Sequence, residues 1–255
     1  MSRVRTETAG GIARITLARA EKKNALDQAM VSALLAAVRA SAEDQSARVV
    51  LLAADGPDFC AGADLEALAS MVDAAPEVHR KDAELLGQLF VALRTNPKPV
   101  VAAVRGRALA GGTGLATACD IVLAHEEARF GFPEVNVGFV PAMVMTMLRR
   151  SVGEKRAFEL VASGRLVTAR EALELGLASR VIPAAGFDAD VEKYITELAA
   201  RSPDALRITK HLFYALDTRT FDAGIAIGAQ ANVEARGTAG FREGVAKFTK
   251  GKKDA

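Results

Sequence analysis

One run of small residues, Ala108-Leu109-Ala110-Gly111-Gly112-Thr113-Gly114-Leu115-Ala116-Thr117-Ala118-Cys119-Asp120, constrains this chain more than any other stretch. It follows the apolar run Pro99 to Val104, which reads as a buried strand, and it has helical potential of its own. Its glycines therefore fall where a strand hands over to a helix N-terminus. The first amides of a helix have no partner within it, and glycine carries no side chain to keep a ligand oxygen away, so Gly111 and Gly112 can aim N–H groups at negative charge. Taken by itself, the stretch fits an oxyanion site, a phosphate site or a turn packed tightly for steric reasons only.

The phosphate reading fails on the letters. Gly106 to Gly111 has the spacing of a P-loop, but Gly112 stands where the phosphate-binding lysine belongs, and the glycine spacing is also wrong for a dinucleotide fingerprint. With 255 residues, 50% hydrophobic and 25% charged, the chain has length enough for a large core. Its net charge of +2 does not argue for nucleic acid, although Lys247 through Lys253 is locally basic. The two cysteines, Cys60 and Cys119, lie in apolar or small-residue sequence and read as reduced buried thiols; the expectation is a cytoplasmic protein. No zinc spacing, no membrane-length apolar run and no secretory h-region is present, so small molecules and copies of itself are the expected partners.

In chain order, Val4 to Thr8 and Ile12 to Leu17 flank Ala9-Gly10-Gly11 as a hairpin, and a helix is expected from about Asp27 to Ala42. Val49 to Ala54 is a continuously apolar strand that empties into Asp55-Gly56-Pro57-Asp58-Phe59-Cys60-Ala61-Gly62-Ala63-Asp64-Leu65, a second strand-to-loop site of small residues. A helix opens at Pro76 and stops at Asn96-Pro97-Lys98-Pro99. After the glycine run, Asp120 to Ala124 and Ala128 to Gly131 read as short strands, and Phe130-Gly131-Phe132-Pro133-Glu134 presents a carboxylate just beyond the second. A glutamate so placed is as often a surface or helix-start residue as a functional one. Thr168 to Glu171 is a capping box whose helix closes at Gly176, and Ser179 to Ile182 is a last strand. Helical spacing then covers Asp188 to Ala200, Pro203 to Leu216, Phe221 to Ala235 and a final segment through Phe241, Val245 and Phe248. Two strands and a helix recur loosely up to about residue 130.

Asn24-Ala25-Leu26, Phe59 to Leu65, Ala108 to Asp120 with Phe130 to Glu134, and Glu171 to Ala178 stand in a fixed order. As an ordered set over nearly the full chain they resemble the crotonase, or enoyl-CoA hydratase/isomerase, superfamily. The resemblance implies an α/β crotonase fold, a spiral of ββα repeats forming two sheets. It divides the chain into a core at 1–198 with the CoA-thioester site and a helical region at 199–255 that packs trimers, often paired as hexamers. It implies an enzyme acting on an acyl-CoA substrate, with no permanently bound cofactor and coenzyme A present only as part of the thioester. The thioester carbonyl would be held by the backbone N–H groups of Ala63 and Gly111. The resemblance places CoA near Lys23, Ala25, Ala61, Asp64 and Leu65, mostly through backbone, with Lys250 meeting phosphate; a solvated tail is the plain alternative for that lysine.

One departure limits the functional reading. Hydratases of the family carry two glutamates; the later one matches Glu134, whereas the earlier one falls on Gly114. Hydration usually employs both carboxylates, while a double-bond shift runs on one that acts as base and then as acid, so Glu134 is the expected sole acid/base. Phe130, Phe132, Phe139 and Met143 are expected to surround it with apolar groups and raise its pKa. Asp64, Glu66 and Asp120 are the other candidate carboxylates, and the bulky Gly138-Phe139-Val140-Pro141-Ala142-Met143 run should reshape the acyl pocket. Decarboxylation of a malonyl-type thioester and hydration of a branched enoyl-CoA use the same enolate hole. A non-catalytic scaffold that binds RNA or CoA is the rival from another class, against which stands the lack of a basic stripe with interleaved aromatics.

Overall fold

The amino-terminal hairpin forms as expected in the computed structural model, which describes residues 2–251. Strands β1 (Val4–Ala9) and β2 (Ile12–Leu17) pair antiparallel across Gly10 and Gly11, at φ 60° and 82°, the left-handed region that glycine enters freely. Helix α1 (Gln28–Glu43) follows, its N-terminus held by the Asp27 side chain, which accepts the Met30 N–H at 2.8 Å. Then come β3 (Val49–Ala54), the short α2 (Leu65–Ser70) and the long α3 (Pro76–Thr95), opened by proline. The middle of the chain alternates β4 (Val100–Val104), β5 (Arg107–Leu109), α4 (Gly111–Ala118), β6 (Ile121–His125) and β7 (Arg129–Gly131). Helices α5 (Val144–Val152) and α6 (Glu154–Ser163) lead to β8 (Leu166–Thr168), α7 (Ala169–Leu175) and β9 (Arg180–Ile182). Helices α8 (Phe187–Ala199), α9 (Pro203–Ala215), α10 (Phe221–Arg236) and α11 (Ala239–Gly251) complete the chain.

The strands divide into a large sheet ordered β1-β2-β3-β4-β6-β9, parallel from β2 onward, and a small sheet ordered β5-β7-β8. Successive strand pairs supply one strand to each: β4 and β6 enter the large sheet, β5 and β7 the small one. That division is the physical form of the ββα recurrence, and with the helical C-terminal region it gives the two-sheet α/β arrangement that the resemblance implies.

The apolar continuity of β3 and β4 has a direct cause, since both faces of the large sheet are covered. Val50, Leu52, Val100 and Ala102 point into the main core with α1 and α3, while Val49, Leu51, Val101 and Ala103 meet Phe187, Val191 and Ile195 of α8. Full burial of each such side chain contributes roughly 1.5–3 kcal/mol. The exposed Arg14–Glu192 and Arg105–Asp188 pairs on α8 are worth about 0–1 kcal/mol each, so the apolar stripe docks that helix.

Five elements depart from the sequence expectation. The glycine run is entered not from the Pro99–Val104 strand but from a separate three-residue strand, β5, in the other sheet. The short α2, helices α5 and α6 and strand β8 also lie where no element was expected. Strands of three residues are too short to show a periodicity.

Candidate functional site

The first loop of the site is shaped by Asn24. Lys23 and Asn24 sit at φ 53° and 54°, and the fully buried Asn24 amide accepts the Arg19 N–H at 2.9 Å and donates to the Asp55 and Asp58 carbonyls, both at 2.9 Å. This turn lays Leu26 alongside Ala63. Three backbone bonds zip the two segments: Ala61 N–H to Lys23 O at 3.0 Å, Leu26 N–H to Gly62 O at 2.8 Å, and Asp64 N–H to Leu26 O at 2.9 Å. The Ala63 N–H donates to no other described residue.

The second loop closes on the first. Leu109 N–H donates to Cys60 O at 2.9 Å, and Cys60 N–H to Arg107 O at 3.0 Å. Ala110 then turns the chain at φ 52° and ψ −123°, a conformation costing a residue with a Cβ about 1–3 kcal/mol. The turn frees the Gly111 N–H, which also donates to no other described residue, at the start of α4. A Cβ on Gly62 would lie 2.8 Å from both the Ala110 Cβ and the Leu109 oxygen, and one on Gly112 would run into the Cys60 carbonyl. The loops are thus in van der Waals contact, with the Cys60 thiol sealed between them and pushed up to about 12 by burial.

Glu134 lies in a one-turn helix, Pro133–Val137, reached from β7. Because β7 runs parallel to β5 with Gly131 opposite Leu109, the chain leading to Glu134 leaves the same strand ends as the Ala110 turn. Glu134 is only 8% exposed, its Oε2 is buried with no hydrogen-bond partner, and burial raises its pKa above the ordinary carboxylate value. A buried carboxylate oxygen without a partner is held at a cost, and such a group is a candidate for taking or giving a proton.

The apolar residues expected around Glu134 differ in burial. Phe130 and Phe132 are fully buried and Met143 is half-buried, but Phe139 is 56% exposed. Its backbone N–H donates to the Glu134 carbonyl at 2.9 Å.

Gly114, where a second glutamate would stand, is closely packed, and a side chain there would require its neighbours to move. A Cβ there would lie 2.6 Å from a Val144 methyl and 3.0 Å from the tip of the Phe90 ring. The other candidate carboxylates are engaged elsewhere. Asp64 caps α2 through the Glu66 and Ala67 N–H groups and pairs with Arg19 at 2.7 Å, and Glu66 pairs with Lys22 at 2.7 Å on the surface. Asp120 accepts from Lys210 at 2.7 Å, Tyr214 at 2.6 Å and the Val100 N–H at 2.6 Å.

Of the residues expected at CoA, the structure brings Lys23, Ala25, Ala61, Asp64 and Leu65 into the first loop. Lys23 and Leu65 are exposed, Ala61 is half-buried, and Ala25 and Asp64 are buried. Lys250 falls in α11, and its side chain lies outside what the structure describes. Sequence reasoning missed Arg19, which spans Asp64, Asp27 and the Ala25 carbonyl, and Thr113, which bonds across two strands. Only the proximity of Arg19 to Asn24 hinted at the former, and no letter pattern marks the latter. Among the described residues no group of three or more His, Cys, Asp and Glu side chains is placed to hold a metal, and no helix is long and apolar enough to cross a membrane.

Residues 7–254 match the family model described as enoyl-CoA hydratase/isomerase. The chain is 41% identical over 239 residues to the "Putative enoyl-CoA hydratase" of Thermus thermophilus, covering 94% of each protein. It is 35% identical over 238 residues to the 2,3-dehydroadipyl-CoA hydratase of Escherichia coli, covering 92% of this chain and 90% of that one. The crystal structure of an enoyl-CoA hydratase from Mycobacterium smegmatis superposes with a TM-score of 0.93 at 32% identity, over 97% of this chain and 96% of the other.

Proposed function

Since the chain belongs to the enoyl-CoA hydratase/isomerase family, we propose that it is an enoyl-CoA isomerase that shifts a carbon–carbon double bond with Glu134 as the one proton carrier. The observation carrying this reading is the buried, unpartnered Glu134 Oε2, on the chain that leaves β7 where the paired β5 leads to the Gly111 amide. In this scheme the thioester oxygen accepts hydrogen bonds from the Ala63 and Gly111 N–H groups. Each such donor is worth about 3 kcal/mol to the charge that grows on that oxygen as the enolate forms. Glu134 takes the proton from the carbon next to the carbonyl, the electron pair delocalises into the dienolate, and the same proton returns two carbons further along. The carboxylate ends the cycle as it began, so one group suffices.

The close packing at Gly114 and the engagement of Asp64, Glu66 and Asp120 favour this over two-carboxylate hydration. CoA would lie against Lys23, Ala25, Ala61, Asp64 and Leu65. Asp64 would contribute backbone only, because its carboxylate holds α2 and Arg19. Residues 199–255 would join copies into trimers or paired trimers.

Assaying the protein with 3-enoyl, 2-enoyl and malonyl-type CoA thioesters tests the reaction. Turnover of the 3-enoyl substrate is expected, and Glu134→Gln should lower kcat by about 10²–10⁴-fold while CoA-thioester binding, followed by calorimetry, is retained. Hydration of the 2-enoyl substrate without any double-bond shift, or full turnover in the Gln variant, would overturn the proposal.

A further inference from the structure

Thr113 is fully buried on the first turn of α4, and its hydroxyl has three backbone partners. It approaches the Ala108 carbonyl at 2.5 Å and the Gly131 carbonyl at 2.9 Å, and the Gly131 N–H donates to it at 3.2 Å. The Gly131 carbonyl also accepts the Ala110 N–H at 2.8 Å. These bonds gather at one place. The β5–β7 ladder ends at the Leu109–Gly131 pair, and beyond it the two chains part. One flips at Ala110 into α4 and presents the Gly111 amide; the other passes Phe132 and Pro133 to Glu134.

From this geometry we infer that the Thr113 hydroxyl is a positioning group that fixes the Gly111 amide relative to the Glu134 carboxylate. The inference rests on the isomerase reading above and names what holds its two halves in register. A hydroxyl has one proton to donate and can accept as well, so a single side chain ties the end of β5, both polar groups of Gly131 and the first turn of α4. The ladder itself cannot do this, because its last rung lies before the chains diverge. A side chain of the same shape without the hydroxyl would fill the space and leave that junction held only by the Ala110 N–H bond to the Gly131 carbonyl. Proton transfer and enolate stabilisation both depend on geometry at the level of an ångström or less, and misplacement of about 1 Å can cost about 100-fold in rate.

Thr113→Val keeps the shape and removes the hydroxyl, whereas Thr113→Ser keeps the hydroxyl and trims a methyl. With the 3-enoyl-CoA substrate, Val is expected to lower kcat by about 10- to 100-fold with KM changed less than about threefold. Ser should restore kcat to within about threefold of the parent. A purely structural threonine would alter the melting temperature of both variants without this split. A folded Val variant with parental kcat, or a Ser variant as slow as Val, overturns the inference. If Thr113→Val fails to fold, Thr113→Cys, a weaker donor of similar size, takes its place, and parental kcat in that variant overturns the inference equally. Glu134→Gln measured alongside separates the two ideas. An inactive Gln variant with an unaffected Val variant removes the positioning role only, while an active Gln variant removes the isomerase reading.

Discussion

Glu134 faces an environment that its own charge disfavours, and that has a consequence for stability as well as for proton transfer. Its folded-state pKa is raised by burial, whereas in the unfolded chain it titrates at about 4.3. Below that value both states hold the proton and nothing is lost. As pH rises from there towards the folded-state value, the unfolded chain ionises first and native stability falls. Glu134→Gln cannot ionise, so its melting temperature should move above that of the parent as pH is raised from about 4 and then level off. Thermal scans across that range check the sign; a gap that shrinks with rising pH would mean that the carboxylate is stabilised in the native state. At this scale the sequence showed Glu134 and both amide loops, because small residues after apolar strands leave a visible mark. It did not show the left-handed Ala110, which no residue preference suggests, or the exposed Phe139, an aromatic that hydropathy alone would bury.

Helix α9 is anchored by one buried cation. Lys210, 7% exposed, donates to the Leu93 carbonyl at 3.1 Å, the Lys98 carbonyl at 3.0 Å and Asp120 at 2.7 Å, and Tyr214 on the same helix reaches the other Asp120 oxygen. Burial pulls the Lys210 ammonium below the usual lysine range, with Asp120 opposing. Lys210→Met would leave Asp120 charged in a dry setting and should cost about 3–5 kcal/mol in urea unfolding. An exposed-pair variant such as Glu192→Gln on α8 should cost less than about 1 kcal/mol, and equal losses would refute the ranking. Helices of this kind were legible from spacing and caps, as Asp27, Pro76 and Thr168 show. The small sheet was legible only in part. Strand β7 carried a signal, but β5 and β8 are defined by what they pair with rather than by their own three residues.

The molecule as a whole leaves large apolar side chains in solvent on its C-terminal helices: Phe213 of α9, Phe221, Ile225 and Val233 of α10, and Phe221 is 82% exposed. Isolated surface apolars need no cause, but large ones gathered on consecutive helices are the kind of surface that copies of a chain bury against one another. Sedimentation at micromolar concentration should therefore give three or six times the 26.8 kDa chain mass, and a monomer would contradict the trimer proposal.

Sealing Cys60 between the two amide loops also makes it a clock for their separation. Burial both raises the pKa of this thiol and keeps it out of reach of an alkylating reagent until the loops part. The rate of alkylation under native conditions would then measure how often that seam opens. An acyl-CoA that spans both loops should slow it, and an unaltered rate at saturation would mean that the substrate grips neither.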